Sequence, residues 1–324
     1  MAQGNRPGNA RQSRSNRRAA ERERARQQAE QQARERRQQT IIGLIVTIVV
    51  VALVAVIGVV VYRNTHKNTA AQTQSTKAAY STMRDSSVKP STASNTGGIL
   101  FSKNGYGKTI DDVPTIAIYM DPLCPGCGNF NRETDPTLIS MFNAGQINLD
   151  IHPMSFLDSS SSDDYSSRAS SSIAYIADHD SDPSHLLSYI SNIYAEGFQP
   201  DEGSSYQSVS DAKLKQQAIK AGVPKSVADK AFERTYQKWL TAINTYTPTR
   251  KELWGSSGSM STPTVTVNGT MIDLSAISTA GLDLKQGILK AIGLKESQIG
   301  DSSALPSIGG TGAPADFTST ESTE

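Results

Sequence analysis

The chain has two thiols, Cys124 and Cys127, and they enclose only Pro125 and Gly126. Thiols at this spacing can interconvert with a disulfide, and the one held as a thiolate attacks or departs in exchange. Two other uses of such a pair are weaker. So short a loop removes little entropy from the unfolded chain, and a domain of about 200 residues has core enough without a staple. Zinc needs two further Cys or His ligands, and His66, His152, His179 and His185 show no ligand pairing. The sequence therefore points to redox chemistry, with no metal and no cofactor beyond the Cys124–Cys127 disulfide itself.

Such chemistry needs a rigid frame, and the residues around the pair supply one. Val113 to Met120 is a short β-branched apolar run of the kind that fills a central strand. It stops at Asp121-Pro122-Leu123, and helical spacing of Phe130, Leu138, Ile139 and Phe142 follows, kinked at Pro136 and closed at Gly145. Ile147 to Ile151 alternates as a second strand, which gives a β-α-β unit with the cysteines at its junction. Cys124 then faces the unpaired N–H groups and positive end of a helix, and both favour a thiolate. Cys127 lies one turn along and faces the interior.

From Asp158 to Trp254 the period is helical throughout. Asp182-Pro183 reads as an N-cap and first-turn pair, Ser210 as the cap of a helix ending at Gly222, and Lys225 to Tyr246 as one long helix with Phe232 and Trp239 on its core stripe. Strand sequence returns at Pro263 to Val267 and turns at Asn268-Gly269, a hairpin signal that accounts for the glycosylation-like Asn268-Gly269-Thr270. A last helix carries Leu284, Ile288, Leu289 and Ile292. His152 before Pro153 reads as a loop residue.

The net charge of +1 conceals a divided chain. Residues 1–40 form a basic tail, with Arg6, Arg11, Arg14, Arg17, Arg18 and Arg22 among its charges and no aromatic residue to build a nucleic-acid reading surface. Residues 41–62 are uncharged and apolar over a length that spans about 30 Å as a helix, longer than the apolar core of a cleaved signal peptide. Arginine is dense before this span and sparse after it, so the positive-inside rule leaves the N-terminus in the cytoplasm and the rest outside, a single-pass protein of the cell membrane. Residues 63–96 read as a flexible linker, 97–297 as one domain, and 298–324 as a disordered tail.

The stretch Tyr119-Met-Asp-Pro-Leu-Cys-Pro-Gly-Cys-Gly-Asn-Phe130, the helical segment inside a β-α-β frame, and Ser261-Thr262-Pro263-Thr264 leading into a hairpin together resemble the DsbA branch of the thioredoxin superfamily, in its membrane-anchored actinobacterial form. The resemblance implies an α/β, thioredoxin-like fold with a helical insertion at about 158–255, preceded by one transmembrane helix. It implies Cys124 and Cys127 as catalytic residues, Pro125 and Gly126 as the active-site loop, a cis bond before Pro263 against the disulfide, and Thr262 as a backbone contact for extended substrate peptides. It further implies an extracytoplasmic oxidase whose partners are exported proteins with free thiols and a quinone-linked membrane reoxidase. Two departures stand out. The prototype has His where this chain has Gly126, and many relatives have a buried acid where this chain has Ile118, which leaves Asp121 or Glu133 as candidate proton acceptor. A reductase or isomerase, or a non-catalytic peptide-binding module, are the competing readings.

Overall fold

β3 (Thr115–Met120) is the strand around which the rest assembles. It pairs in parallel with β4 (Asn148–Pro153) and antiparallel with β5 (Thr264–Val267), so both its edges are filled. Alternate side chains face opposite ways. Ile116, Ile118 and Met120 enter the main core with Leu149 and Ile151, whereas Ala117 and Tyr119 enter a smaller cluster with Leu253 and Met260. A strand covered on both faces reads as an unbroken apolar run, as this one does. The computed structural model describes residues 69–85 and 89–317. The expected basic tail and the 41–62 span lie outside them, and among the described residues no helix is long and apolar enough to cross a membrane.

The sheet has six strands in the order β2-β1-β4-β3-β5-β6. β1 (Ile99–Ser102) and β2 (Gly105–Tyr106) add an antiparallel edge beside β4, and β6 (Thr270–Ile272) closes the opposite edge. Asn268 and Gly269 turn the β5–β6 hairpin, both with positive φ (49° and 80°). Helix α1 (Thr69–Asp85) precedes the sheet, and α2 (Pro125–Ala144) links β3 to β4 and ends on Gly145 in the left-handed conformation.

Between β4 and β5 the chain folds into α3 (Tyr165–His179), α4 (Pro183–Tyr194), α5 (Asp211–Lys220), α6 (Lys225–Ala228) and α7 (Gln237–Tyr246); α8 (Leu274–Thr279) and α9 (Leu284–Ile292) follow β6. α4 is capped by Asp182, whose carboxylate accepts the Ser184 N–H, with Pro183 in the first turn. α3 is buried along nearly its whole length, and its serines make this possible. They are small, and their hydroxyls are satisfied: Ser170 donates to the Met154 carbonyl at 2.7 Å and Ser172 pairs with the Tyr189 hydroxyl at 2.7 Å. α2 packs between α4 and α9.

Four expectations need correction. The stretch read as flexible linker contains α1, which lies along α7. Thr76, Ala79, Tyr80 and Met83 recur at helical spacing, Met83 is fully buried and the Tyr80 and Tyr246 rings meet at 4.8 Å; a polar composition masks a narrow helical stripe. The stretch read as disordered tail is packed as far as Phe317. Gln146 donates to the carbonyls of Gln298, Asp301 and Ala304 and accepts from the Gly300 N–H, and Asn268 donates to those of Gly309 and Gly312. The single helix expected from Lys225 to Tyr246 is two, broken where Arg234 takes a φ of 54° and pairs with Asp164 while the Tyr236 hydroxyl bonds Asp178. No glycine or proline marks that break; tertiary partners impose it. His152 sits on β4, buried, stacked on Tyr119 at 3.9 Å and bonded to Asp150 at 3.0 Å.

Candidate active site

β3 delivers the chain to the cysteines through a tight turn. The Cys124 N–H donates to the Asp121 carbonyl at 3.0 Å, and the Leu123 N–H to the Asp121 carboxylate at 2.9 Å. Cys124 is the N-cap of α2, with extended backbone, and Pro125 takes the first helical position, where no N–H is needed. The Gly128 N–H closes the first turn on the Cys124 carbonyl at 3.0 Å. Both cysteines are free thiols here. Cys124 retains 9% of its surface and Cys127 none, so only the first sulfur can meet a partner from solution.

The two sulfurs are driven in opposite directions. Cys124 is held below the usual thiol range, chiefly by the Cys127 thiol hydrogen-bonding to it, with the Thr262 side chain and the Cys127 N–H adding to this and burial opposing it. Cys127 is pushed well up, first by burial and then by its bond to, and repulsion from, the Cys124 thiolate. Of the two, Cys124, the sulfur that keeps some surface, is therefore the one that ionises first.

Pro263 follows a cis bond to Thr262 and opens β5. The Thr262 carbonyl accepts from Cys124 Sγ at 3.3 Å, which brings this loop against the dithiol across 138 positions of sequence. Gly126 faces the same proline. A Cβ there would stand 3.2 Å from Pro263 Cδ and 3.7 Å from Cys124 Sγ, so a side chain at this position is crowded. All six residues expected at the site, Cys124, Pro125, Gly126, Cys127, Thr262 and Pro263, thus lie in one place.

Of the two candidate proton acceptors, the structure brings Asp121 to the pair. Its carboxyl is fully buried and pushed up to about 6 by that burial, against hydrogen bonds from the Ser166 hydroxyl at 2.5 Å, the Leu123 N–H and the Leu157 N–H. Both sulfurs feel its charge. Glu133 instead accepts the Leu284 N–H at the start of α9 and has a structural role. Sequence reasoning missed Ser166, which orients Asp121, and Gln199, which donates to the Pro122 and Cys124 carbonyls. Nothing local signals either. The one hint is Gly128, an unfavourable residue in a helix turn, which implies that something packs against it. Among the described residues no cluster of three or more metal-binding side chains occurs.

A parallel β3-α2-β4 unit with a dithiol at the helix tip, faced by a cis-proline loop, defines a dithiol protein of thioredoxin-like α/β fold. Residues 110–281, more than half of the chain, match the family model described as thioredoxin, and the chain belongs to that family. Within it the chain is similar to thiol-disulfide oxidoreductases of actinobacteria. These include DsbA of Mycobacterium tuberculosis (25% identity, 57% of this chain and 90% of that one, TM-score 0.45), DsbG of the same organism (24%, 68% and 99%, 0.46) and MdbA of Actinomyces oris (22%, 59% and 84%, 0.46). Among curated proteins it is 33% identical over 92 residues to the serine/threonine-protein kinase PknE of Mycobacterium tuberculosis; the match spans 28% of this chain and 16% of the kinase.

Proposed function

We propose that this chain is a protein thiol-disulfide oxidoreductase of the DsbA type, working as an oxidase that introduces disulfides into exported proteins. The observation that carries the reading is the unequal pair: Cys124, which keeps some surface and is shifted toward the thiolate, beside a fully buried Cys127 shifted toward the thiol. A stabilised thiolate favours the reduced protein and so makes its disulfide a stronger oxidant. Each pKa unit is about 1.4 kcal/mol, or ~30 mV for this two-electron couple.

A substrate thiolate attacks Cys124 Sγ of the oxidised pair, the Cys124–Cys127 bond breaks, and Cys127 leaves with the electron pair. Its charge is disfavoured in that buried position, so it takes up a proton, and Asp121 is the buried acid placed to exchange one with it. A second substrate thiolate then attacks the substrate sulfur of the mixed disulfide and releases Cys124 as thiolate. Two substrate thiols become a disulfide and the pair gains two electrons. The Thr262 backbone is the surface along which an extended peptide lies during these steps. The 41–62 span anchors the protein with its N-terminus in the cytoplasm, the dithiol domain works outside, and a quinone-linked membrane partner reoxidises it; the arginine asymmetry about the span supports that orientation.

Equilibration of the full chain with glutathione tests the direction. A reduction potential far above the thioredoxin value of about −270 mV is expected. A value near it would make the protein a reductase, and a disulfide that does not exchange would leave only peptide binding. Cys124→Ser abolishes exchange, and Cys127→Ser accumulates mixed disulfides detectable by mass.

A further inference from the structure

Gln199 lies in the loop after α4, within the helical insertion and 75 positions beyond Cys124, yet its side chain reaches the active-site turn. One amide nitrogen donates to both the Pro122 carbonyl, at 3.1 Å, and the Cys124 carbonyl, at 3.0 Å. Its oxygen accepts from Arg132 Nη1 at 3.1 Å, and the same Arg132 nitrogen donates to the Tyr194 carbonyl at 2.9 Å. Every polar atom of the amide is engaged, and Arg132 fixes which way round it sits.

The seat for this amide is made by an absence. Gly128, in the first turn of α2, has no side chain, and a Cβ built there would fall 1.9 Å from Gln199 Oε1 and 2.8 Å from Gln199 Cδ. Gly128 has an ordinary helical backbone, so alanine would suit the helix better and only the space argues for glycine. The Cys124 carbonyl thus accepts two bonds, one from the Gly128 N–H and one from Gln199. Together with the bond at Pro122 they fix the turn on both sides of Leu123, and with it the direction in which the Cys124 side chain leaves the backbone.

We propose that Gln199, admitted by Gly128 and oriented by Arg132, is a positioning residue that holds the Cys124 sulfur at the tip of α2, so that the helical insertion sets the redox strength of the dithiol. This rests on the exchange chemistry proposed above. The sulfur is stabilised by donors at Cys127 and Thr262, whose bonds are directional. Releasing the turn swings the sulfur away from them and weakens the thiolate without touching any of the groups that stabilise it.

The test is a thiolate titration and a glutathione equilibrium on the full chain carrying Gln199→Ala, Gly128→Ala, or both. Loss of one such bond's worth of stabilisation predicts a rise of about one unit in the Cys124 pKa. The equilibrium constant for reduction by glutathione falls about tenfold, which is ~30 mV. Gly128→Ala acts by filling the seat, so it gives a change of similar size, and the double variant is no worse than either single one. Wild-type pKa and potential in both variants, whatever happens to their stability, would overturn the proposal, as would strictly additive effects. Should Gln199→Ala fail to fold, Gln199→Met keeps the length, loses the donors without adding a charge and is read the same way. A wild-type disulfide inert to glutathione sinks the exchange reading instead, and the positioning role is then decided by the thiolate titration, which needs no turnover.

Discussion

Replacing Asp121 with asparagine takes one ionisable proton out of a fully buried site. The carboxyl rises from 3.8 to about 6 on folding, so the folded protein binds that proton more tightly than the unfolded chain. Stability from this group is fully present below about 4, is lost as pH climbs through about 6, and amounts to about 3 kcal/mol. The amide contributes nothing of this kind. It carries a separate, pH-independent cost: one carboxylate oxygen accepts from both Leu123 and Ser166 and can be kept as the amide oxygen, but the other accepts from the Leu157 N–H and becomes a donor facing a donor. An unsatisfied buried group of this kind costs about 1–3 kcal/mol. The variant should therefore be less stable than wild type at low pH, with the gap narrowing by about 2 kcal/mol as pH rises from about 4 to about 7. Urea unfolding of the reduced protein across that range measures it. Parallel stability curves would show that Asp121 does not titrate in this window, and the proton-exchange role assigned to it would fall with them.

Asp135 is a second buried acid on α2, pushed up to about 7 by burial, with a Ser191 hydroxyl bond opposing the rise. Its ionised form destabilises the fold as pH climbs through that value, so Asp135→Asn should gain about 2–4 kcal/mol over wild type at about pH 8 and little at about pH 4, by urea unfolding. Met83→Ala should cost about 2–5 kcal/mol, because the side chain fills the seam between α1 and the rest of the fold, and should leave the Cys124 titration where it was. An unchanged unfolding midpoint would mean that α1 contributes nothing to the folded unit.

The parts legible in the sequence are those whose signals are local. Val113 to Met120, the proline after Cys124 and the Asn268-Gly269 turn each state a backbone preference within a few residues, and β3, the start of α2 and the β5–β6 hairpin lie on them. The missed features depend on partners distant in sequence. β1 is only a short run, and its strand character comes from pairing Ile99 to Phe101 with β4. Tyr236 breaks a helix because Asp178 lies within reach, 58 positions away. Gln199 has no motif at all, and its meaning exists only once α4 has brought its loop beside Gly128. His152 misleads for the opposite reason: the proline after it suggests a loop, but Pro153 ends β4, where a missing N–H removes nothing from the ladder.

The amides of Gln146 and Asn268 set where this protein can be trimmed. Gln146 is fully buried and finds all four of its partners in the peptide groups of 298–304, while Asn268 gives its amide hydrogens to Gly309 and Gly312. Excision at residue 297, just past the last strand-and-helix pattern, would take every partner from the Gln146 amide and both acceptors from the Asn268 amide nitrogen, leaving Asn268 only the bond from the Thr115 N–H. The smallest piece that keeps its interior polar groups satisfied extends well beyond the stretch that identifies the family.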